Sequence, residues 1–344
     1  MMTSLFRLFL LFSVTLFVTG VDEHAGKAEA AGRIRIKLTT LAPKGSSFHK
    51  ALMEMGQSWK EASDGRIDLI VYAGGIQGGE SAMVERMTIN QTQAALLTGV
   101  GLADIERDVT GLQTMPMVFR SVDEFDYVSK RIYPRLEKSL REKGYVTLFW
   151  ADAGFLRFFS RKPVVTLDDL RSLKLFTVAG DAKQEALMVS TGLNPVPLDL
   201  TDILISLQTG LIDAVPLPPL YALAIQTYGP APHMTNLLWA PIMGAAVIKE
   251  ETWNSIPAEI RPKLLEAARR AGDFVLESGR RENEEAIDAL VDQWGVQVHD
   301  VPPAAMAEWE QAVSAAYPEI RGGLVPPAIF DEVMKLIDEY RASN

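Results

Sequence analysis

The chain has 344 residues, is 48% hydrophobic and carries a formal charge of −10. That length suits two domains, each with its own core. The acidic balance argues against nucleic acid or an anionic membrane as the main partner, since both call for basic patches. The absence of cysteine excludes disulfides, thiol chemistry and a lipidated cysteine.

The N-terminus reads as an export signal. Arg7 precedes an apolar stretch, Leu8 to Val18, and the small-residue segment AGKAEAAG (25–32) follows. The stretch falls short of the roughly 20 residues that span a bilayer. Cleavage is expected after Ala30 or after Gly20, giving an exported, periplasmic protein. Further on, IRIKLTTL (34–41) reads as a strand. Phe48, Leu52, Met55 and Trp59 recur at helical spacing, which marks a helix starting near Ser46 or Ser47. GRIDLIVYAGG (65–75) and AALLTGV (94–100) read as strands around a helix at 80–89. Ser121 and Glu124 have capping-box spacing. Phe125, Val128, Ile132, Leu136 and Leu140 continue a helical face, which Pro134 is expected to bend.

Further strands are expected at 145–154, 156–161, 173–178, 194–198 and 213–217. The alternation of strands with helices predicts an α/β fold of parallel sheets. Residues 255–295 form a long helix, interrupted only near Pro262 and Gly272, that would run along both domains. The expected architecture is two lobes around a cleft. Residues 31–153 with about 242–281 make the first lobe. Residues 154–241 with about 282–344 make the second lobe and the C-terminal helices.

No catalytic constellation stands out. His24, His49, His233 and His299 are not spaced as metal pairs, and HExxH, GxSxG and P-loop patterns are absent. Gly99 and Gly101 suit a strand-end turn better than a dinucleotide loop. Asp168 and Asp169 suit a helix start, where carboxylates meet the N-terminal dipole. The reading is of a binding protein, with no enzyme activity, cofactor or metal.

Specific stretches then resemble a known family. Residues 37–87, with GRIDL before a strand and GGIQGGE at 74–80, are similar to the first lobe of the solute-binding proteins of TRAP transporters, the DctP family. PVVTLDDLRSLKLF (163–176) and LNPVPLDLTDILISLQTGLIDAVPLPP (193–219) resemble its later landmarks, and the likeness runs from about 33 to 330. It implies a type II-like periplasmic receptor that closes on a small-molecule ligand and delivers it to membrane permease subunits.

Two departures bear on that ligand. Most of the family carries a carboxylate-clamping arginine where Phe176 stands, and a ligand-facing asparagine where Leu217 stands between Pro216 and Pro218. Phenylalanine and leucine can form no fork to a carboxylate. Either both are core residues, or the cleft is lined for an apolar, aromatic or amphipathic acid. Arg157 lies near a second arginine of some members; it is a cleft cation or a hinge ion pair with Asp152, itself a candidate contact. Trp150, Tyr221 and Trp239 are candidate aromatic walls. Phe48 and Gln77 are expected to border the cleft from the first lobe. The chain is also similar to a subset with apolar clefts and helical-repeat partners, which implies a tetratricopeptide-repeat periplasmic partner. The alternative function is a module for lipid handling or sensing.

Overall fold

The structure, a computed structural model, describes residues 33–344; the leader and both cleavage positions lie outside the described residues. The strands are β1 (Ile34–Thr40), β2 (Ile67–Tyr72), β3 (Ala94–Thr98), β4 (Tyr145–Phe155), β5 (Arg157–Ser160), β6 (Lys174–Val178), β7 (Asn194–Leu198), β8 (Ala214–Leu217), β9 (His233–Asn236), β10 (Pro241–Lys249) and β11 (Gln297–Asp300). The helices are α1 (Ser47–Ala62), α2 (Glu80–Thr88), α3 (Gly99–Ala103), α4 (Val122–Glu142), α5 (Leu167–Arg171), α6 (Ala182–Ser190), α7 (Ile203–Thr209), α8 (Pro219–Ala224), α9 (Glu250–Ser255), α10 (Arg261–Asp292), α11 (Pro303–Gly323) and α12 (Pro327–Ser343).

Two sheets result. The first has the order β2-β1-β3-β10-β4 and the second β11-β9-β5-β8-β6-β7. Neither is wholly parallel, which corrects the sequence expectation. Strand β10 runs antiparallel to both β3 and β4, and β5 antiparallel to β8 and β9. The physical reason is that the chain crosses from one sheet to the other and returns, so the returning strand enters in the opposite sense.

Local signals account for most element starts. Ser46 Oγ accepts the His49 N–H at 3.3 Å and starts α1, whose Leu52, Met55 and Trp59 are buried. The capping box expected at Ser121 is half made. Ser121 Oγ accepts the Glu124 N–H at 3.1 Å, but the Glu124 carboxylate accepts from Arg120 N at 2.7 Å and from Arg341. The complete box lies at Thr166 and Asp169, so Asp169 does serve a helix start. Helix α4 continues through Pro134.

Helix α10 has 32 residues, about 48 Å at 1.5 Å per residue. Neither expected interruption interrupts it. Pro262 sits in its first turn, where the missing N–H costs nothing, and Gly272 is a packing contact. A Cβ built on Gly272 would lie 2.6 Å from Phe149 Cβ on β4, so only glycine lets the helix sit this close. Gly272→Ala is expected to destabilise the fold by about 1–3 kcal/mol through overpacking, read as a lower urea midpoint at unchanged slope.

The C-terminal helices do not all stay with the second sheet. Trp309 of α11 is buried with Phe158 and Leu175 of the second sheet. Ile329, Phe330, Val333 and Ile337 of α12 instead pack with Phe125, Val128 and Ile132 of α4, on the first. The apolar face of α12 finds its partner in the matching face of α4, which sequence adjacency does not reveal.

Candidate functional site

Four stretches of the described chain cross between the lobes, the last being α11, which runs from Trp309 in the second-lobe core to Ile320 in the first. Strand β4 passes into β5 through Leu156, β9 passes into β10 through residues 237–240, and α10 spans both. The first two crossings are bonded to each other: Leu156 N donates to Ala240 O at 2.8 Å, and Trp239 N donates to Leu156 O at 3.0 Å. Along α10, Leu264, Ala268 and Val275 join the first-lobe core, while Leu290 joins the second-lobe core. Asn283 knits the crossing together. Its Nδ2 donates to Ala153 O at 2.8 Å and its Oδ1 accepts the Leu220 N–H of α8 at 3.1 Å. Few covalent crossings with dense packing beside them make a hinge.

An ion cluster sits at this hinge. Arg280 of α10 donates to Asp126 of α4 at 2.5 and 3.0 Å and to Asp152 of β4 at 2.8 Å. Asp152 is therefore engaged by Arg280, and the hinge ion pair expected between it and Arg157 does not form. The two carboxyls respond differently to the shared cation. At Asp152, 4% exposed, burial prevails over Arg280 and raises the pKa. At Asp126 burial also pulls upward, but the hydrogen bonds and charges of Arg280 and Lys130 outweigh it and hold the carboxyl below its usual range.

The lobes meet where parallel strands end. Gly75, in the loop after β2, has φ of +71°, a conformation that favours glycine; a Cβ there would stand 3.4 Å from Thr201 Cγ2, in the segment that follows β7. Beside this loop, Glu80 is 4% exposed and accepts from Thr98 N and Thr98 Oγ1, both at 2.6 Å, and from Gly101 N at 2.9 Å. Burial raises its pKa in spite of these three donors. Its charge reaches Tyr221 of α8 in the other lobe, whose phenol is pushed up first by burial and then by Glu80.

The predicted residues divide into two sets. Phe176, 5% exposed, Leu217, 2% exposed, and the half-buried Tyr221 share one apolar cluster with Phe159, Val178, Leu198 and Val215. Arg157 stands directly across the sheet from Leu217. Its guanidinium bonds the neutral Asn236 side chain; burial lowers its pKa, against the raising effect of Glu284 on α10. Gln77 lies half-buried in the 73–79 loop, with its carbonyl accepting from Arg86 Nε at 3.1 Å. Phe48 is half-buried against α10, 3.6 Å from the Cβ position of Gly279.

Two aromatic candidates lie apart from that cluster. Trp150 stacks on Tyr133 of α4, centroids 4.2 Å apart and planes 4° from parallel, and its Nε1 donates to Glu137. It belongs to the first-lobe core. Trp239 packs on Phe158 and Trp309, on the face of the second sheet opposite Phe176. Sequence reasoning did not select Glu80, Thr201 or Asn283. The final Glu of GGIQGGE was the available signal for the first of these.

Comparison with known proteins fits this architecture. The profile of bacterial extracellular solute-binding protein family 7, DctP, matches residues 38–322. The C4-dicarboxylate-binding periplasmic protein DctP of Rhodobacter capsulatus is 22% identical over 284 residues, 81% of this chain and 82% of that protein. The sugar acid binding protein DctPAm of Advenella mimigardefordensis, solved with galactonate, superposes with a TM-score of 0.82 at 16% identity, covering 90% of this chain and 99% of that one. A TRAP periplasmic solute binding protein of Shewanella oneidensis, solved with succinate, gives a TM-score of 0.82 at 17% identity, covering 89% and 100%. Among the described residues no helix is long and apolar enough to cross a membrane. With the profile spanning both lobes and the hinge, the chain belongs to the DctP family of extracellular solute-binding proteins, the receptor component of TRAP transporters rather than an enzyme family.

Proposed function

We propose that this receptor captures a carboxylate with an apolar or aromatic body, closing its two lobes around the ligand before handing it to the permease in the periplasm. The observation that carries the reading is the single apolar cluster of Phe176, Leu217, Val178, Leu198 and Tyr221 around the ends of β6, β7 and β8. Ligands of open α/β sheets sit at strand ends of this kind. Burying a hydrocarbon surface there gains about 25 cal/mol per Å², whereas a carboxylate placed there without a partner is costly. The acid group is argued from a relative named for C4-dicarboxylate binding and from similar structures solved with galactonate and succinate. Arg157, whose hydrogen bond goes to a neutral amide, is the cation nearest in sheet register to Leu217 on β5, and would meet the carboxylate from a different strand. A ligand touching both lobes favours the closed state by its differential contacts.

The test is to purify the exported chain without denaturation, extract what it carries and identify it by mass spectrometry. An acid with an aromatic ring or alkyl chain is the expected result. A small dicarboxylate or a sugar acid overturns the apolar reading and leaves Phe176 as core.

A further inference from the structure

At the outer edge of the second sheet β9 and β11 run parallel, with His233 opposite Gln297 and Thr235 opposite His299. The two histidines thus lie on one face, one diagonal step apart. His233 Nδ1 is 3.0 Å from His299 Nε2, with ring centroids 5.1 Å apart and planes inclined by 43°. Neutral imidazole nitrogens come this close by sharing a proton, one ring donating N–H and the other accepting. One ion can take the place of that proton. Two imidazole nitrogens bound to a single ion at about 2.0–2.1 Å, at an angle between a right angle and tetrahedral, stand about 2.8–3.4 Å apart. The spacing present already falls within that interval.

We propose that His233 and His299 form a two-histidine site for a divalent transition metal ion, with water completing the coordination. His233 alternates along β9 with Met234, which belongs to the Phe176 cluster, so the pair lies on the other face of the sheet from the proposed solute site. Both side chains are half-buried, which leaves room for water. Among the described residues no group of three or more His, Cys, Asp and Glu could hold a metal, so protein ligands supply two positions only. Two nitrogens with water oxygens suit Cu²⁺ and Ni²⁺ in tetragonal geometry, and copper binds such donors most tightly of the divalent series. On binding, the shared proton moves to the other nitrogen of the ring that held it, so two neutral rings lose no proton overall. The ion would join β11, the strand that follows α10, to β9.

The experiment uses mature protein without a histidine tag, stripped with a chelator and titrated with Cu²⁺. One ion per chain is expected, with electron paramagnetic resonance showing splitting from two nitrogens and with a raised melting temperature. His233→Gln or His299→Gln should each weaken binding by more than about a hundredfold, beyond the roughly 10–100-fold loss usual for an outer-shell partner, and should remove one nitrogen from the spectrum. His49→Gln should change neither. A wild-type spectrum with fewer than two imidazole nitrogens overturns the proposal, whether or not the variants fold. So does unchanged binding in the H233Q/H299Q double variant.

Discussion

Phe176→Arg is expected to destabilise the ligand-free protein by about 3–5 kcal/mol and to abolish retention of the endogenous ligand. The ring is 5% exposed and packs in an apolar cluster with Phe159, Val215 and Leu217. Removing it forfeits about 1.5–3 kcal/mol of burial. The incoming guanidinium then enters a place whose neighbours are hydrocarbon, and an unpaired charge there adds a further cost. Urea unfolding of ligand-free wild type and variant measures the first effect, and mass spectrometry of native extracts measures the second. A variant as stable as wild type would mean that the position opens to solvent or to a carboxylate. If that variant also bound a small dicarboxylate, the apolar cleft would be wrong and the usual clamp would be one substitution away. A stability loss with the endogenous ligand still bound would place Phe176 in the core alone.

The same residues show why some of this was legible in the sequence. Strands with runs of β-branched and aromatic side chains, such as β2 and β6, announce themselves, and the Ser46 cap marks the start of α1. Strand β10 does not. Its centre, Gly244, Ala245 and Ala246, has little strand propensity, yet it is buried between β3 and β4. A Cβ on Gly244 would lie 2.4 Å from Leu97 O, so its glycine is explained by a neighbour almost 150 positions away in the chain. Long-range partners of this kind leave no local pattern. The candidate site divides on the same principle. Phe176 in the middle of β6, Leu217 at the end of β8 and Tyr221 in the first turn of α8 lie on elements marked by local signals, and they come together. Trp150 and Trp239 have the right chemistry, but whether a ring faces a cleft or a core depends on what packs over it. For Trp150 that is Tyr133, and for Trp239 it is Trp309, each supplied by a helix docked from elsewhere.

Arg280→Ala is the second substitution with a large expected effect, and its dependence on pH distinguishes charge from packing. Removing the guanidinium leaves Asp152 buried without its cation and frees Asp126 from the contact that lowers its pKa. Breaking a buried ion pair from one side costs about 3–5 kcal/mol; with Arg280 a third exposed, the lower end, about 3 kcal/mol, applies. In the wild type the two carboxyls act with opposite signs, but losing Arg280 raises both folded-state pKa values and so moves both the same way. Asp126 has a depressed folded-state pKa, so its contribution is present above its unfolded pKa and is lost as pH falls through the folded value. Asp152 has a raised folded-state pKa, so its contribution is full below its unfolded pKa and is lost as pH rises through the folded value. Without Arg280 that rise is larger. The deficit of the variant should therefore be largest near neutral pH and shrink in acid as both carboxyls take up protons. Urea midpoints of wild type and variant, measured from pH 7.5 down through the carboxylate range, decide the matter. A deficit that is flat with pH would assign Arg280 to packing between α10 and β4. A deficit that closes in acid assigns it to charge, and makes the Asp126–Arg280–Asp152 cluster the electrostatic tie that holds the long helix to the hinge strand.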